Sequence, residues 1–167
     1  MGRFNSVLGA SLQYNTQSVF SGASDYMVNP CNCQKTLYWG THVSEYIYAK
    51  AGMDIRNERA KFGFIQLGGY CITGGGLLRH KYILHVAVLN ALSIDIRYLF
   101  KLRKRIPKDV LSKAFDSIVE FCQGHQVRNI DTPVFWGGKN GWTDKEFEKE
   151  FDGHPATQFM QLYRGRA

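Results

Sequence analysis

The stretch Asp25-Tyr-Met-Val-Asn-Pro-Cys-Asn32 predicts a short buried strand that ends in a pair of asparagines. The next segment, Gly40-Thr-His-Val43, is a glycine turn at the start of a predicted helix. Asparagine amides bond ribose hydroxyls, and the N–H groups at a helix start bind phosphate. The pattern therefore favours a site for a ribose and a phosphate.

Further elements follow outward from this stretch. Pro30 is expected to end the first strand at Asn29, because proline fixes φ and lacks an N–H donor. Apolar residues at four-residue steps predict a helix from Gly40 or Thr41 to Ala51, with Gly52 as its C′ residue. The other elements predicted in this half are a strand at Ser6–Tyr14, a loop at Ser18–Ser24, a helix at Asp54–Lys61, and strands at Gly69–Thr73 and Lys81–Val88 joined by a turn at Gly74–Gly76.

The second half of the chain adds two helices and two strands. An apolar stripe predicts a helix at Lys108–Gln123, between Pro107 and Gly124. The remaining predictions are a strand at Val127–Thr132 broken by Pro133, a glycine-rich loop at Phe135–Trp142, a helix at Asp144–Phe151 and a strand at Gln158–Tyr163. Alternating strands and helices imply a mostly parallel sheet covered on both faces. Ligands bind beyond the carboxyl ends of such strands, so the loops after Asn29 and Pro133 predict a composite site.

Composition indicates one globular domain, residues 1–167, with 44% hydrophobic and 21% charged residues. A net charge of +7 and a pI of about 9.3 favour an anionic partner. The first residues lack the apolar core of a signal peptide, so we expect an intracellular, cytoplasmic protein with no membrane contact. The four cysteines are then expected to be free thiols. The spacing Cys31-x-Cys33 is too tight for a usual zinc pair, so we expect no metal, and nothing calls for a cofactor.

In this order the segments resemble the macro domain, the ADP-ribose-binding α/β module. Asp25–Asn32 is similar to "D-A-I-V-N-A-A-N", and Thr36–Val43 occupies the place of "L-x-x-G-G-G-V". Gly69–Leu77 resembles "G-x-A-x-x-T-x-G-x-L", Lys81–Val88 resembles "K-Y-I-I-H-A-V", and Asn129–Gly138 resembles "S-I-A-x-P-x-I-G-x-G". The loop ending at Trp142 is similar to a branch of the family whose second loop ends in tryptophan.

The resemblance implies a three-layer α/β/α sandwich with a mixed, mostly parallel central sheet. It implies an ADP-ribose cleft across the strand ends, with Asn32 at the distal ribose. One side of the diphosphate would be lined by Gly40, Thr41, His42 and Val43. The other side would be lined by Phe135, Trp136, Gly137, Gly138, Lys139, Asn140 and Gly141.

The chain departs from the family pattern at several positions. The triple glycine is reduced to Gly40-Thr41-His42, which brings side chains to a place where bare backbone is usual. Ser18 occupies the position of an adenine-reading aspartate. Ser44 stands where one hydrolase branch carries an aspartate, and Lys139 and Asn140 stand where the tryptophan branch carries another.

Each candidate residue also has a simpler interpretation. Asn29 and Asn32 are both candidates for ligand contact, but each can instead cap the following turn, since asparagine bonds local backbone. His42 is either a general base or hydrogen-bond donor to phosphate, or a surface histidine at a helix start. His85 lies inside a strand and is expected to be a core histidine. Phe135 and Trp136 can stack on a sugar or base, or pack in the core. The glycines of the second loop can permit a tight turn alone.

Two functions from different classes follow. The first is binding of ADP-ribose or an ADP-ribosylated substrate, with or without hydrolysis at the distal ribose. Such hydrolysis would remove ADP-ribose from protein or phosphate from ADP-ribose 1″-phosphate, with Asn32 and His42 as catalytic candidates. The alternative is an inactive macro-fold module that binds nucleic acid or a protein through a basic surface, because the stretch Arg97–Lys113 holds seven lysines and arginines.

Overall fold

The computed structural model describes residues 12–34, 42–90 and 105–165, with the side chains of His42 and Lys139 outside that description. Six strands lie within these ranges: β1 Tyr14–Asn15, β2 Tyr26–Asn32, β3 Tyr70–Gly74, β4 Tyr82–Leu89, β5 Ile130–Pro133 and β6 Met160–Tyr163. Four α-helices accompany them: α1 His42–Ala51, α2 Met53–Lys61, α3 Lys108–Gly124 and α4 Asp144–Phe151. None of the helices in these ranges is long and apolar enough to cross a membrane.

The strands form one sheet in the order β1-β6-β5-β2-β4-β3. β3 runs antiparallel to β4, and the other neighbours are parallel. The predicted mixed, mostly parallel sheet is therefore confirmed. Because β2 and β5 are parallel neighbours, their carboxyl ends lie at the same edge of the sheet.

Both faces of the central strands are buried. Met27 and Ile83 pack with Ile47, Tyr48 and Ile55 of α1 and α2. The adjacent residues on the same strands, Val28 and Leu84, point to the other face and join the core beneath α3 and α4. This opposite orientation of successive side chains explains why β2 and β4 are buried along nearly their whole length.

The helices begin and end close to the proline and glycine residues that the sequence analysis expects at their boundaries. α3 begins after Pro107 and buries the predicted stripe against the sheet. Gly52 separates α1 from α2 with φ of 96°, a conformation that favours glycine. Gly76 has φ of 56° in the connection from β3 to β4, and an added Cβ there would lie 2.2 Å from the carbonyl oxygen of Ala51. That connection is longer than the predicted turn and begins later, because Gly74 still belongs to β3.

Three strand predictions were wrong at one end by two residues or more. The strand expected at Gln158–Tyr163 begins at Met160, because Pro155–Gln158 form a 3₁₀ turn. β2 does not stop before Pro30 but continues through it to Asn32. Pairing of β2 with β5 lies at Met27, three residues before the proline, so the ladder on that side is already ending where the N–H is missing. The strand expected at Val127–Thr132 is Ile130–Pro133, and its proline is the last strand residue. Of the predicted opening strand at Ser6–Tyr14, residues 6–11 lie outside the described ranges and Tyr14 begins β1.

Candidate functional site

Two turns leave the sheet at its carboxyl edge. One follows Asn32 at the end of β2, and the other follows Pro133 at the end of β5. Because these strands are neighbours, the fold brings the asparagine turn and the glycine-rich loop to one side of the molecule. This edge is where open α/β sheets bind ligands.

A β-bulge lies opposite the end of β2, with Val88 of β4 as the extra residue. The register of β2 with β4 shifts between Cys31, which pairs with Ala87, and Asn32, which pairs with Leu89. Beyond the bulge, the Cys33 N–H donates to the Leu89 carbonyl at 2.8 Å. The Asn32 side-chain oxygen accepts from the Gln34 N–H at 3.1 Å, and the residue is 1% exposed. The local turn contact thus exists, and contact with a ligand stays a prediction.

Asn29 lies three residues before the edge, inside the sheet. Its side-chain amide donates to Nδ1 of His85 at 3.0 Å, and both residues are 0% exposed. The Tyr48 hydroxyl donates to the same nitrogen at 3.2 Å. The other ring nitrogen, Nε2, lies 2.8 Å from the Thr73 hydroxyl, which itself donates to the Gly74 carbonyl. His85 has partners on both nitrogens, and with the Asn29 amide as donor to Nδ1 this pattern assigns the ring proton to Nε2.

Burial keeps His85 neutral. It lowers the pKa of His85 from its usual 6.5 to about 3, and the nearby charge of Arg59 acts in the same direction. His85 is thus a core histidine, as the sequence predicts. The group links β2, β3 and β4 to α1, the helix that follows the first loop, so it fixes the helix that borders the site.

The second loop is built as a tight turn. Gly138–Asn140 form one turn of 3₁₀-helix, closed by Gly141 with φ of 91°. The N–H groups of Asn140, Gly141 and Trp142 donate within the loop, to the carbonyls of Gly137, Gly138 and Trp136. By contrast, Gly137 and Gly138 donate no backbone hydrogen bond to any residue that the structure describes. Their N–H groups are thus available to an anion.

The two aromatic residues at the start of the loop pack in the core. Phe135 is 3% exposed and Trp136 0% exposed. The Trp136 ring stacks on Phe147 at 3.9 Å between centroids, and Phe115 contacts both Phe135 and Trp136 edge-on or tilted. Core packing therefore accounts for the placement of both side chains, and their contact with a ligand stays a prediction.

The structure describes only some of the other predicted site residues. Asn140 is 8% exposed, and its amide donates to the Phe135 carbonyl across the loop. Val43, in the first turn of α1, is half-buried against the core of that face. Gly40 and Thr41 lie outside the described residues, and the backbone alone is described for His42 and Lys139. Their contacts with a ligand stay predictions.

A cavity of about 660 Å³ opens against this loop. Its walls include Gly137, Gly138 and Gly141, and also residues that the sequence analysis did not select, among them Val134, Thr143, Asp144 and Arg164. One signal was available in the sequence, because Arg164 directly follows the last predicted strand and so lies at its carboxyl end. Asp144 gave no such signal, since it has the pattern of the first residue of a helix.

Arg164 is held on two sides. Its Nη1 and Nη2 donate to the two Asp144 carboxylate oxygens at 2.9 and 2.8 Å, and its guanidinium lies 3.9 Å from the centre of the Tyr14 ring. Burial, with the charges of Glu148 and Asp144, raises the pKa of Tyr14 to about 12. The cavity wall therefore carries a fixed cation whose carboxylate partner is already engaged.

The cysteines form no disulfide in the structure. All four are buried free thiols, and burial raises their pKa values, to about 12 for Cys31 and to about 11 for Cys33, Cys71 and Cys122. Within the described ranges, no three His, Cys, Asp or Glu side chains are placed to hold a metal ion.

Comparisons with known proteins agree with this fold. The macro domain family model matches residues 28–149. No curated protein sequence matches the chain. Among solved structures, the Trypanosoma brucei macrodomain in complex with ADP-ribose has a TM-score of 0.63 at 21% identity, over 90% of this chain and 61% of that chain. The chain thus spans less than two thirds of the trypanosome protein.

Two further structures superpose over most of the chain. The macrodomain of Mycobacterium tuberculosis DarG has a TM-score of 0.69 at 13% identity and covers 95% of this chain and 100% of its own. The macrodomain of Thermus aquaticus DarG has a TM-score of 0.67 at 15% identity, also over 95% of this chain and 100% of its own. At these identities the likeness concerns the fold. With the family model matching most of its length, the chain belongs to the macro domain family.

Proposed function

We propose that this chain binds ADP-ribose or a closely related ADP-ribosyl nucleotide at the carboxyl edge of its sheet. In this proposal the diphosphate lies against the loop of Gly137 to Gly141, and the distal ribose lies against the turn after Asn32. The amide nitrogen of Asn32 would donate to a ribose hydroxyl, because its side-chain oxygen already accepts from Gln34.

The observation that carries the proposal is the second loop. Two adjacent N–H groups, of Gly137 and Gly138, have no backbone acceptor among the described residues and line a cavity of about 660 Å³. Paired backbone N–H groups in a glycine turn bind phosphate oxygens. Arg164 and its carboxylate partner Asp144 both lie in this wall, so the pair adds no net charge there. The trypanosome macrodomain with the same fold was crystallised with ADP-ribose, which supports the choice of ligand.

Base selection is expected to be altered. Ser18 stands at the position of the family's adenine-reading aspartate, and its hydroxyl oxygen accepts from the Phe20 N–H at 3.3 Å at the start of a 3₁₀ turn. A serine that caps a turn offers no carboxylate to an adenine amino group. We therefore expect weaker discrimination between adenine and other bases than an aspartate would give.

Hydrolysis at the distal ribose is the finer part of the proposal. Water would attack the anomeric carbon, its oxygen forming a bond there while the bond to the leaving oxygen breaks. Asn32 would orient that water, and His42 or a phosphate of the substrate would take its proton. Asp144 lines the cavity but is tied to Arg164, which disfavours it as the base. A binding module without turnover is the other form of the same proposal.

The alternative of nucleic-acid binding gains no observation from the described residues. Of the basic stretch Arg97–Lys113, residues 97–104 lie outside the description. Arg105 is paired with Glu146 at 2.6 Å and Lys108 with Glu150 at 2.6 Å. Both side chains therefore already have acidic partners on α4.

Ligand-induced stabilisation at two salt concentrations separates the two functions. Thermal unfolding is followed with ADP-ribose and with a short single-stranded RNA, each at low and at high salt. A specific pocket gives stabilisation by ADP-ribose that persists at high salt, whereas phosphate-backbone contacts weaken steeply with salt. Stabilisation by RNA alone, lost at high salt, would contradict the proposed function and favour the basic surface.

A further inference from the structure

We propose that Arg59 is a positioning residue that holds the Asn32 turn in its ligand-binding shape and so sets the affinity for the distal ribose. The inference rests on the proposed function and adds to it a residue that lies outside every motif considered above. Arg59 lies near the end of α2, in the interval between the motif segments that carry the family resemblance.

The guanidinium of Arg59 ties three backbone carbonyls together. Nη2 donates to the carbonyls of Asn32 and Cys33 at 3.3 and 3.2 Å, and Nη1 donates to the carbonyl of Gly63 at 2.7 Å. The Cys33 carbonyl also accepts from the Ile65 N–H at 3.0 Å. The turn after β2 is thereby fixed to the segment that follows α2. Arg59 contacts both peptide groups that follow Asn32, alongside the backbone contacts of Cys33 with Leu89 and Ile65.

The charge of Arg59 is buried among neutral groups. The residue is 1% exposed, and in the described ranges it makes no ion pair with a carboxylate. Its other neighbours are the thiols of Cys31, Cys33 and Cys71, which stay neutral at physiological pH. A buried cation is costly unless its donors are satisfied. Here carbonyl oxygens accept from Nη1 and Nη2, while Nε has no hydrogen-bond partner among the described residues. An aliphatic side chain would fill the same space without the cost of burying a charge. We therefore infer that an arginine is present here because it forms hydrogen bonds with the Asn32 turn.

The hydrogen bonds from Arg59 lie at a turn whose shape affects the position of the Asn32 side chain. The register of the ladder with β4 shifts between Cys31 and Asn32, where β4 has one extra residue, Val88, so pairing with β4 alone does not fix the position of Asn32 at the strand end. The carbonyl contacts of Arg59 lie directly after this break. A catalytic or binding side chain needs such outer contacts to stay within a fraction of an ångström of its working position.

The test compares two ligands that differ by the distal ribose. Affinities for ADP and for ADP-ribose are measured for the wild type, Arg59→Lys, Arg59→Met and the matched control Lys61→Met, an exposed residue at the end of the same helix. The ratio of the ADP to the ADP-ribose dissociation constant reports the distal-ribose contribution. We expect Arg59→Met to lower that ratio about tenfold while ADP affinity stays within about twofold, with Arg59→Lys in between and Lys61→Met unchanged.

A double-mutant cycle separates positioning from general support of the fold. If Arg59 acts through Asn32, the variant Asn32→Ala/Arg59→Lys has the same ligand ratio as Asn32→Ala alone. Additive losses, or an unchanged ratio in a folded Arg59→Lys, would overturn the inference while leaving ADP-ribose binding intact. Failure of the wild type to bind either ligand would instead overturn the proposed function itself. Circular dichroism confirms folding of each variant, and Arg59→Lys carries the test if Arg59→Met does not fold.

Discussion

Asn29 donates its side-chain amide to Nδ1 of His85 at 3.0 Å, in the middle of the sheet and away from solvent. Asn32, three residues further on and past a β-bulge, lies at the edge where the glycine loop follows β5. The two asparagines of one short strand thus have separate structural surroundings. The inner one fixes a histidine within the core, and the outer one belongs to the proposed ligand site.

Replacement of Asn32 by alanine is expected to weaken ADP-ribose binding about tenfold or more, because a hydrogen bond to the distal ribose is lost and the turn is loosened. Calorimetric titration measures the loss. Asn129→Ala is the matched control, since Asn129 is exposed at the opposite, amino end of β5. Equal affinity of Asn32→Ala and wild type would remove Asn32 from the site.

Two glycines of the second loop give opposite predictions. At Gly137, φ is −86° and an added Cβ would have its nearest neighbour at 3.8 Å, so Gly137→Ala is expected to fold normally but to weaken ADP-ribose binding by obstructing the diphosphate. At Gly141, φ is 91° and the added Cβ would lie 2.2 Å from the Arg105 Cβ. Gly141→Ala is expected to lower stability by about 2 kcal/mol or more.

Urea unfolding and ligand titration of both glycine variants provide the check. Gly141→Ala should show a lowered urea midpoint, and Gly137→Ala a lowered affinity at an unchanged midpoint. Full affinity in Gly137→Ala would argue against close approach of a phosphate to this loop.

Acid is expected to destabilise the fold through His85. Its folded pKa of about 3 lies below the unfolded value of 6.5, so the unfolded state binds the proton first. The stability that the neutral ring contributes is complete above about pH 6.5 and declines as pH falls toward 3, by about 1.4 kcal/mol per pH unit. Urea unfolding of wild type and His85→Gln from about pH 7 to about pH 4 tests this, and the variant should show the shallower decline. Parallel declines in the two proteins would mean that His85 does not titrate on unfolding.

The four thiols are expected to react slowly in the native protein. Each is buried, and its pKa lies well above physiological pH, so little thiolate is present to attack a reagent. Titration with a chromogenic disulfide reagent should reveal all four thiols in denaturant and slow release without it. Rapid reaction of a native thiol would show that its burial is transient.

The apolar periodicity of the sequence and the positions of its prolines and glycines predicted most of the fold. The α3 stripe between Pro107 and Gly124 predicts the helix almost to the residue, because its apolar face, start and stop signals agree. Pro30 misled the prediction of β2, since the end of pairing with β5 near Met27 is a property of the assembled sheet. Local sequence does not specify which strand will lie beside a given residue.

The site was predictable only where it follows strand ends. The turn after Asn32 and the loop after Pro133 could be paired in advance, because parallel strands place their carboxyl ends together. The Arg164–Asp144 pair joins residues 20 positions apart, and Arg59 reaches back 27 positions to Asn32, so neither contact has a local pattern. In sequence, Arg59 has the appearance of an ordinary solvated helix residue.

Calorimetric titration of the purified protein with ADP-ribose, with ATP as the comparison ligand, tests the central claim most directly. The account predicts saturable binding of ADP-ribose near one ligand per chain, and weaker binding of ATP, which has the diphosphate but no distal ribose. No heat with either ligand, or equal affinity for both, would contradict a site built from the glycine loop and the Asn32 turn.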